Sequence, residues 1–248
     1  MNGILLVDKP VGWTSFDVVA KVRNVLRSSQ VSVVSIQSRK QTTDDGLQIT
    51  PSRKVKVGHT GTLDPLATGL LVILVGSYTK RADEYTKMDK VYDVTMRLGQ
   101  TSTTGDEEGV KTQVSTHKPT QKELQAVIEQ FIGEIMQTPP QFSAIKVDGQ
   151  RAYKLARAGK AVKLEPRKVT ITRLNVTHFD YPTVQFTAEV SSGTYIRSLV
   201  EDIGKQLGTG AYMTALRRTN VGKFKIDDAI DPKNIAAATI STGLKSEQ

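Results

Sequence analysis

The sequence contains no cysteine and only three histidines among its 248 residues. Without cysteine the protein has no disulfide, no thiolate metal ligand and no cysteine nucleophile, and a reducing compartment suits it. The histidines, His59, His117 and His178, are too widely separated along the chain to suggest a metal site. We therefore expect no redox chemistry, no bound metal and no zinc-dependent reaction.

Long apolar segments are also missing. The longest uninterrupted apolar run, residues 70–75, is about a quarter of the length that a membrane-spanning helix needs. The apolar run at residues 4–7 is too short for the core of a signal peptide and is followed by Asp8 and Lys9. The sequence therefore predicts a soluble, cytoplasmic protein that does not bind membranes.

Positive charge is in excess, with 34 Lys and Arg against 25 Asp and Glu, which gives a formal net charge of +9. A basic surface attracts polyanions because the neutralisation of phosphates releases condensed counterions. Many basic proteins bind no nucleic acid, so the charge is weak evidence when taken alone. It favours a nucleic-acid partner without identifying one.

Strand and helix patterns alternate along the chain, and there is no internal repeat. The clearest strand covers residues 90–98, where Tyr92, Val94, Met96 and Leu98 fall on one face by period-two alternation. Further strands are predicted at residues 3–7, 70–75, 169–174 and 184–190. Helices are predicted from Thr14, with Asp17 at capping-box spacing, to Arg27, and at residues 120–132, 152–158 and 196–207. We expect an α+β protein in which antiparallel strands predominate.

Residues 28–56 differ from the rest of the chain. Ser, Gln and Thr dominate this segment, helical periodicity fades, and five basic residues stand against two acidic ones. The composition predicts a basic loop without regular structure. It is either a solvated insertion without a role or a surface that contacts RNA phosphates.

The twelve residues 58–69, GHTGTLDPLATG, combine three glycines, His59, Asp64 and Pro65 directly ahead of an apolar strand. Pro65 restricts Asp64 to an extended backbone, and glycines permit close approach of a ligand to the main chain. Such a loop can hold a carboxylate rigidly, although an isolated Asp-Pro pair is more often an ordinary turn. The loop lacks the Lys-Ser/Thr ending of a nucleotide-binding P-loop, which argues against nucleotide binding.

Residues 58–69 resemble the signature of the TruB family of bacterial tRNA pseudouridine synthases. Four further segments occur in the order found in that family: residues 3–10, 90–92, 192–197 and 216–218, which read GILLVDKP, KVY, SGTYIR and LRR. The similarity extends from residue 3 to about residue 230. It implies the pseudouridine synthase fold, which is a mixed, largely antiparallel sheet flanked by helices, with two lobes around a central RNA-binding cleft.

The resemblance implies the isomerisation of uridine 55 in the T-loop of tRNA. The N1 glycosidic bond breaks, the uracil turns over, and C5 bonds to the ribose, without cofactor or metal. Asp64 matches the catalytic aspartate of the family. Tyr92, Tyr195 and Arg197 match residues of the uridine pocket, and His59 matches a residue that holds the remodelled T-loop. Whether Asp64 attacks C1′, attacks the base or accepts a proton stays open.

Other residues in the matching segments have alternative interpretations. Leu216 is either a wall of the pocket or an ordinary core residue. Arg217 and Arg218 contact phosphates or solvate a turn, and Lys9 and Lys80 are predicted RNA contacts. We expect Arg197 to be the ion-pair partner of Asp64, because a facing guanidinium stabilises an ionised carboxylate.

Residues 1–230 are expected to form one catalytic domain, with residues 28–56 as a basic insertion and residues 231–248 as a short tail. Family members commonly carry a C-terminal PUA domain, which this sequence is predicted to lack, and the insertion is expected to replace part of its RNA binding. A monomer is expected. The competing function is an RNA-binding or RNA-folding module without catalysis. The combination of Asp64, Tyr92, Tyr195 and Arg197 favours an enzyme, since an RNA clamp needs no carboxylate opposite an arginine.

Overall fold

The computed structural model describes residues 1–38, 55–143, 145–147, 149–158, 164–236, 239–240 and 244. The helices are α1 Ser15–Ser38, α2 Ala82–Thr86, α3 Gln121–Glu129, α4 Ala152–Arg157 and α5 Ile196–Gln206. The strands are β1 Gly3–Lys9, β2 Val57–His59, β3 Thr68–Val75, β4 Lys90–Leu98, β5 Gln100–Ser102, β6 Lys111–Gln113, β7 Gly133–Gln137, β8 Lys146–Val147, β9 Gln150–Arg151, β10 Arg167–Asp180, β11 Thr183–Val190, β12 Ala211–Val221 and β13 Phe224–Lys225. None of the helices in these ranges has the length and apolarity required to cross a bilayer.

The chain divides into two compact units, one formed by Met1–Thr86 with Lys223–Gln248 and the other by Lys87–Gly222. In the first unit, β3 pairs antiparallel with β1 and with β2. One face of α1 contributes Val18, Val22 and Leu26 to the core that also holds the inward side chains of β1 and β3. The predicted capping box is confirmed, because the Asp17 carboxylate accepts a hydrogen bond from the Thr14 amide at 2.8 Å and the Thr14 hydroxyl accepts one from the Asp17 amide at 3.1 Å.

The predicted loop over residues 28–56 is wrong for residues 28–38, which continue α1 as far as Ser38. No glycine or proline occurs in that stretch, so nothing in it terminates a helix despite the loss of the apolar period. The basic residues Arg39, Lys40, Arg53 and Lys54 lie outside the described residues. Lys56, which is described, is exposed.

In the second unit, the strand order is β12-β4-β11-β10-β7, and every neighbouring pair is antiparallel. The prediction for β4 is confirmed at both ends, and the side chains of Tyr92, Val94, Met96 and Leu98 are buried while Asp93 is exposed. Helix α5 packs against β12 through an apolar face. The predicted mixed fold with a largely antiparallel sheet is therefore confirmed.

Gly204, near the end of α5, allows this helix to approach the sheet closely. A Cβ atom on Gly204 would lie 2.3 Å from the backbone nitrogen of Ala211, the first residue of β12. No side chain fits that space, so glycine is required where α5 meets β12.

Several elements of the second unit differ from the prediction. Helix α3 begins with the expected Thr120 and Glu123 capping box but ends at Glu129, and Gly133, which has a left-handed φ of 109°, begins the unpredicted strand β7. Strand β12 was also missed. Its pairing with β4 shifts register between Met213 and Ala215 and again between Arg218 and Asn220, so its side chains do not alternate regularly.

Candidate active site

Asp64 lies in the loop between β2 and β3 of the first unit, and its side chain is half-buried. The loop is closed at both ends by main-chain hydrogen bonds. The Thr60 amide donates to the Val72 carbonyl at 3.0 Å, and the Ala67 amide donates to the Asp64 carbonyl at 3.0 Å. These bonds give the backbone of Asp64 a defined turn conformation.

The first residue of α1 and the segment before it fix this loop on either side of Asp64. Ser15 is 2% exposed, and its hydroxyl donates to the Leu63 carbonyl at 3.0 Å and accepts from the Leu63 amide at 2.8 Å. The Gly12 amide donates to the Pro65 carbonyl at 2.8 Å. The residues on both sides of Asp64 are therefore tied to the start of α1, which positions the carboxylate through its own backbone.

Lys9 supports the same segment from inside the protein. Its side chain is 0% exposed, and its ammonium donates to the carbonyls of Pro10 at 2.9 Å and Trp13 at 2.6 Å. This placement gives Lys9 a structural role in the turn before α1, whereas its predicted contact with RNA stays a prediction. Of the other predicted RNA contacts in this unit, Lys80 is exposed and His59 is half-buried opposite Ile73 of β3.

In the second unit, Tyr92 on β4 is the register partner of Arg218 on β12, and Leu216 is opposite Val94. Arg217 and Arg218 therefore lie in a strand, and the turn considered for them is wrong. Arg218 is 1% exposed, whereas Leu216 and Arg217 are half-buried. Sequence analysis missed the strand that carries these residues.

Lys90 begins β4 two residues before Tyr92 and is also buried. Burial, and then the positive charge of Arg218, lowers the pKa of the Lys90 ammonium to about 8, and Asp89 opposes this effect. In the sheet, Lys90 pairs with Val190, the last residue of β11. The segment that leads to Tyr195 therefore starts from the same end of the sheet as Tyr92.

Arg197 lies in the first turn of α5, and Tyr195 is the residue that caps this helix. The Arg197 side chain is 9% exposed, and one guanidinium nitrogen, Nη1, lies 3.5 Å from Oδ2 of Asp106. Arg197 Nη1 also donates to the Thr104 carbonyl at 3.1 Å, and Nη2 donates to the Phe142 carbonyl at 2.9 Å. The guanidinium is thereby oriented in three directions, while its predicted pairing with Asp64 stays a prediction.

Asp106 is a residue that sequence analysis missed. It is buried, and its Oδ1 accepts hydrogen bonds from the Thr104 hydroxyl at 2.5 Å and from the Glu108 amide at 3.1 Å. An aspartate next to a glycine between two short strands is typical of a turn. Nothing in the sequence distinguishes this buried ion-pair partner from a turn residue.

A cavity of about 380 Å³ lies beside α5 and is lined in part by Thr104, Phe142, Ser198, Glu201 and Asp202. Burial raises the pKa of both carboxyl groups, and for Glu201 the neighbouring Asp202 adds to the effect while Arg197 opposes it. Among the described residues, no group of three or more His, Cys, Asp or Glu is placed to hold a metal ion.

Comparison of the sequence with known proteins identifies the family of this chain. The sequence-family model described as TruB family pseudouridylate synthase (N terminal domain) matches residues 49–196. The family model described as tRNA pseudouridylate synthase B C-terminal domain matches residues 197–247. The chain belongs to the TruB family. The first of these matches contains Asp64, Tyr92 and Tyr195, and the second contains Arg197 and Leu216.

Relatives in the TruB family resemble this chain over nearly its whole length. It is 41% identical to tRNA pseudouridine synthase B of Pseudomonas fluorescens (strain Pf0-1), over 98% of this chain and 71% of the relative. It is also 41% identical to tRNA pseudouridine synthase B of Parabacteroides distasonis, over 94% of this chain and 91% of the relative. A chain in the solved Cbf5-Nop10-Gar1 complex is 28% identical with a TM-score of 0.65, and the match covers 92% of this chain. This chain spans about half of that one, 52% of its length.

Proposed function

We propose that this TruB-family protein converts uridine to pseudouridine in tRNA, at position 55 of the T-loop, and that Asp64 is the essential catalytic residue. The observation that carries the proposal is the anchoring of the family motif, in which Ser15 and Gly12 bind the backbone on both sides of Asp64. A carboxylate held in this way keeps a fixed position when a substrate arrives, which is the main requirement for a nucleophile or base. The names of the relatives support tRNA as the substrate.

The reaction moves a bond without adding or removing atoms. The bond from C1′ of the ribose to N1 of uracil breaks, a bond from C1′ to C5 forms, and the proton on C5 is replaced by one on N1. The target base is buried in a stacked loop, so it has to be flipped out at a cost of roughly a few kcal/mol. Stacking on an aromatic ring returns ~1–3 kcal/mol per base, and Tyr92 is proposed to supply that surface.

Arg197 is proposed to act in the uridine pocket, as its match to the family motif implies. Its guanidinium has three oriented contacts in the second unit, which favour a fixed orientation of this side chain over a mobile one. Tyr195 and Leu216 are proposed to complete the uridine pocket. His59, Lys80 and Arg217 are proposed contacts to the RNA, and the protein is proposed to act as a cytoplasmic monomer.

The test is to incubate the purified protein with an unmodified tRNA transcript and to map pseudouridine by mass spectrometry. We expect one pseudouridine, at position 55, and no product from a transcript that carries cytidine there. Asp64→Asn should yield no product, because an amide keeps the shape of the side chain but cannot act as nucleophile or base. Its tRNA affinity should stay within a few-fold of the wild type.

Three outcomes would contradict the proposal in whole or in part. Ready product formation by pure Asp64→Asn would exclude Asp64 as the catalytic residue. An inactive wild-type protein that still binds and refolds tRNA would instead support the RNA-binding module considered above. A pseudouridine at another position would leave the reaction intact and correct the assignment of position 55.

A further inference from the structure

The side chain of Gln137, the last residue of β7, binds both the amide and the carbonyl of Tyr195. Gln137 is 2% exposed. Its Nε2 donates to the Tyr195 carbonyl at 3.1 Å, and its Oε1 accepts from the Tyr195 amide at 2.8 Å. One buried amide therefore satisfies the donor and the acceptor of a single residue.

The segment that follows Gln137 makes two further contacts with the same turn of α5. The Thr138 carbonyl accepts a hydrogen bond from the Ser198 hydroxyl at 2.9 Å, and the Phe142 carbonyl accepts one from Nη2 of Arg197 at 2.9 Å. Residues 137–142 thus hold the backbone at Tyr195 and the side chains of Arg197 and Ser198. One short stretch of chain therefore contacts three residues at the start of α5.

The position of Tyr195 explains why such support is needed. Tyr195 is the N-cap of α5, its backbone is extended, and no side chain caps the helix in the usual way. Amides at a helix N-terminus lack partners inside the helix and require them elsewhere. Gln137 provides one at Tyr195, and it fixes the direction in which the chain enters α5 two residues before Arg197.

We propose that Gln137 is a positioning residue for the reaction, because it sets the backbone from which Tyr195 and Arg197 reach the uridine pocket. The inference rests on the proposed function, which places these two residues in the pocket. Gln137 acts through Tyr195 and needs no contact with the RNA. Its side chain must both donate and accept, and this requirement gives the proposal a specific test.

The test is Gln137→Glu, which keeps the size of the side chain and the oxygen that accepts from Tyr195. An ionised carboxylate cannot donate to the Tyr195 carbonyl, whereas a protonated carboxyl group can. At pH 8 and saturating tRNA we expect kcat to fall roughly tenfold relative to the wild type, with KM within a few-fold. At pH 5.5 the kcat of Gln137→Glu should recover to within about threefold of the wild-type value. Burial raises the pKa of a glutamate at position 137, so this carboxyl group is protonated at the lower pH and can donate.

Gln130→Glu is the matched control. Gln130 is exposed at the end of α3, its amide donates to the Ala126 carbonyl, and the substitution changes the charge of the protein by the same amount. We expect the kcat of Gln130→Glu to stay near the wild-type value at both pH values. Circular dichroism and tRNA binding at both pH values establish that each variant is folded under the assay conditions.

Gln137→Asn decides the question if Gln137→Glu does not fold. The shorter amide keeps a donor and an acceptor but is one methylene too short to bind Tyr195 as Gln137 does, so kcat should fall at all pH values without recovery. The proposal is overturned if Gln137→Asn matches the wild type, or if the loss in a folded Gln137→Glu is the same at pH 5.5 as at pH 8. An inactive wild-type protein would overturn the proposed function instead.

Discussion

The loop that carries Asp64 and the first turn of α5 that carries Arg197 are held in different ways. Around Asp64 the contacts are made to the main chain by uncharged groups, the Ser15 hydroxyl and the Gly12 amide. Around Arg197 the contacts are made to the side chain, by the Asp106 carboxylate and two carbonyl oxygens. The first region fixes the path of the chain, and the second fixes a charged group directly.

The difference predicts how each region responds to substitution. Removal of a neutral hydrogen bond costs the desolvation of the group left behind, about 1–3 kcal/mol when that group is buried. Removal of one partner of a buried ion pair costs more, about 3–5 kcal/mol, because an uncompensated charge stays inside the protein. Substitutions around Arg197 should therefore have larger effects than substitutions around Asp64 other than those of Asp64 itself.

Arg197→Lys should give the largest effect. A lysine keeps the positive charge but cannot direct separate N–H groups at Asp106, Thr104 and Phe142. We expect kcat at saturating tRNA to fall by roughly 100-fold or more. Single-turnover kinetics measures this, with Arg173→Lys on the exposed face of β10 as the control. Activity near the wild-type level in Arg197→Lys would show that charge alone is sufficient.

Asp106→Asn should give the next largest effect. The amide retains the size of the side chain but removes the negative charge that lies 3.5 Å from the Arg197 guanidinium. We expect a free energy of unfolding that is lower by about 3 kcal/mol and a kcat lower by roughly tenfold. Urea unfolding and single-turnover assays test this against the exposed Asp180→Asn. If the two variants unfold alike, the contrast between the regions is lost.

Ser15→Ala should have a smaller effect, since it removes two neutral hydrogen bonds from Leu63. We expect unfolding to become easier by about 1–3 kcal/mol and kcat to fall several-fold, with tRNA affinity unchanged. Ser28→Ala, on the same helix but exposed, is the control. A loss in Ser15→Ala as severe as that in Arg197→Lys would mean that the loop tolerates no displacement of its backbone.

The effect of Lys90 should appear as a dependence of stability on pH. Its pKa of about 8 in the folded protein lies below the ordinary value of 10.5, so between these values the unfolded chain binds a proton that the folded chain does not. Stability contributed by this group therefore rises with pH through that window. In urea unfolding, Lys90→Met should be more stable than the wild type at pH 7, and the gap should narrow by pH 10. A constant gap would contradict the shift.

The sequence predicted elements whose signals are local and regular. Strand β4 was placed to the residue because its apolar side chains alternate without interruption. Strand β12 was missed because its two register shifts interrupt that alternation. Helix α1 is longer than predicted because the loss of an apolar period does not by itself end a helix. Propensity and period carry no information about such irregularities.

The candidate site divides in the same way. Asp64, Tyr92, Tyr195 and Arg197 lie in short motifs that can be recognised one by one. Asp106, Gln137 and Ser15 act through partners that are far away in the sequence, and each has an ordinary local interpretation as a turn, strand or helix-start residue. Only the folded chain shows which of them hold the motif residues in place.

The glycine at position 204 has a geometric consequence for the guanidinium at the opposite end of its helix. Gly204 is seven residues from Arg197, which at 1.5 Å per residue makes a lever arm of ~10 Å. A methyl group on Gly204 would lie only 2.3 Å from the backbone nitrogen of Ala211, and the clash would tilt the helix about that contact. A tilt of about 10° would swing the far end by ~2 Å, more than a directional hydrogen bond tolerates. Gly204 therefore helps to set the direction of the Arg197 side chain, although it takes no part in any chemical step.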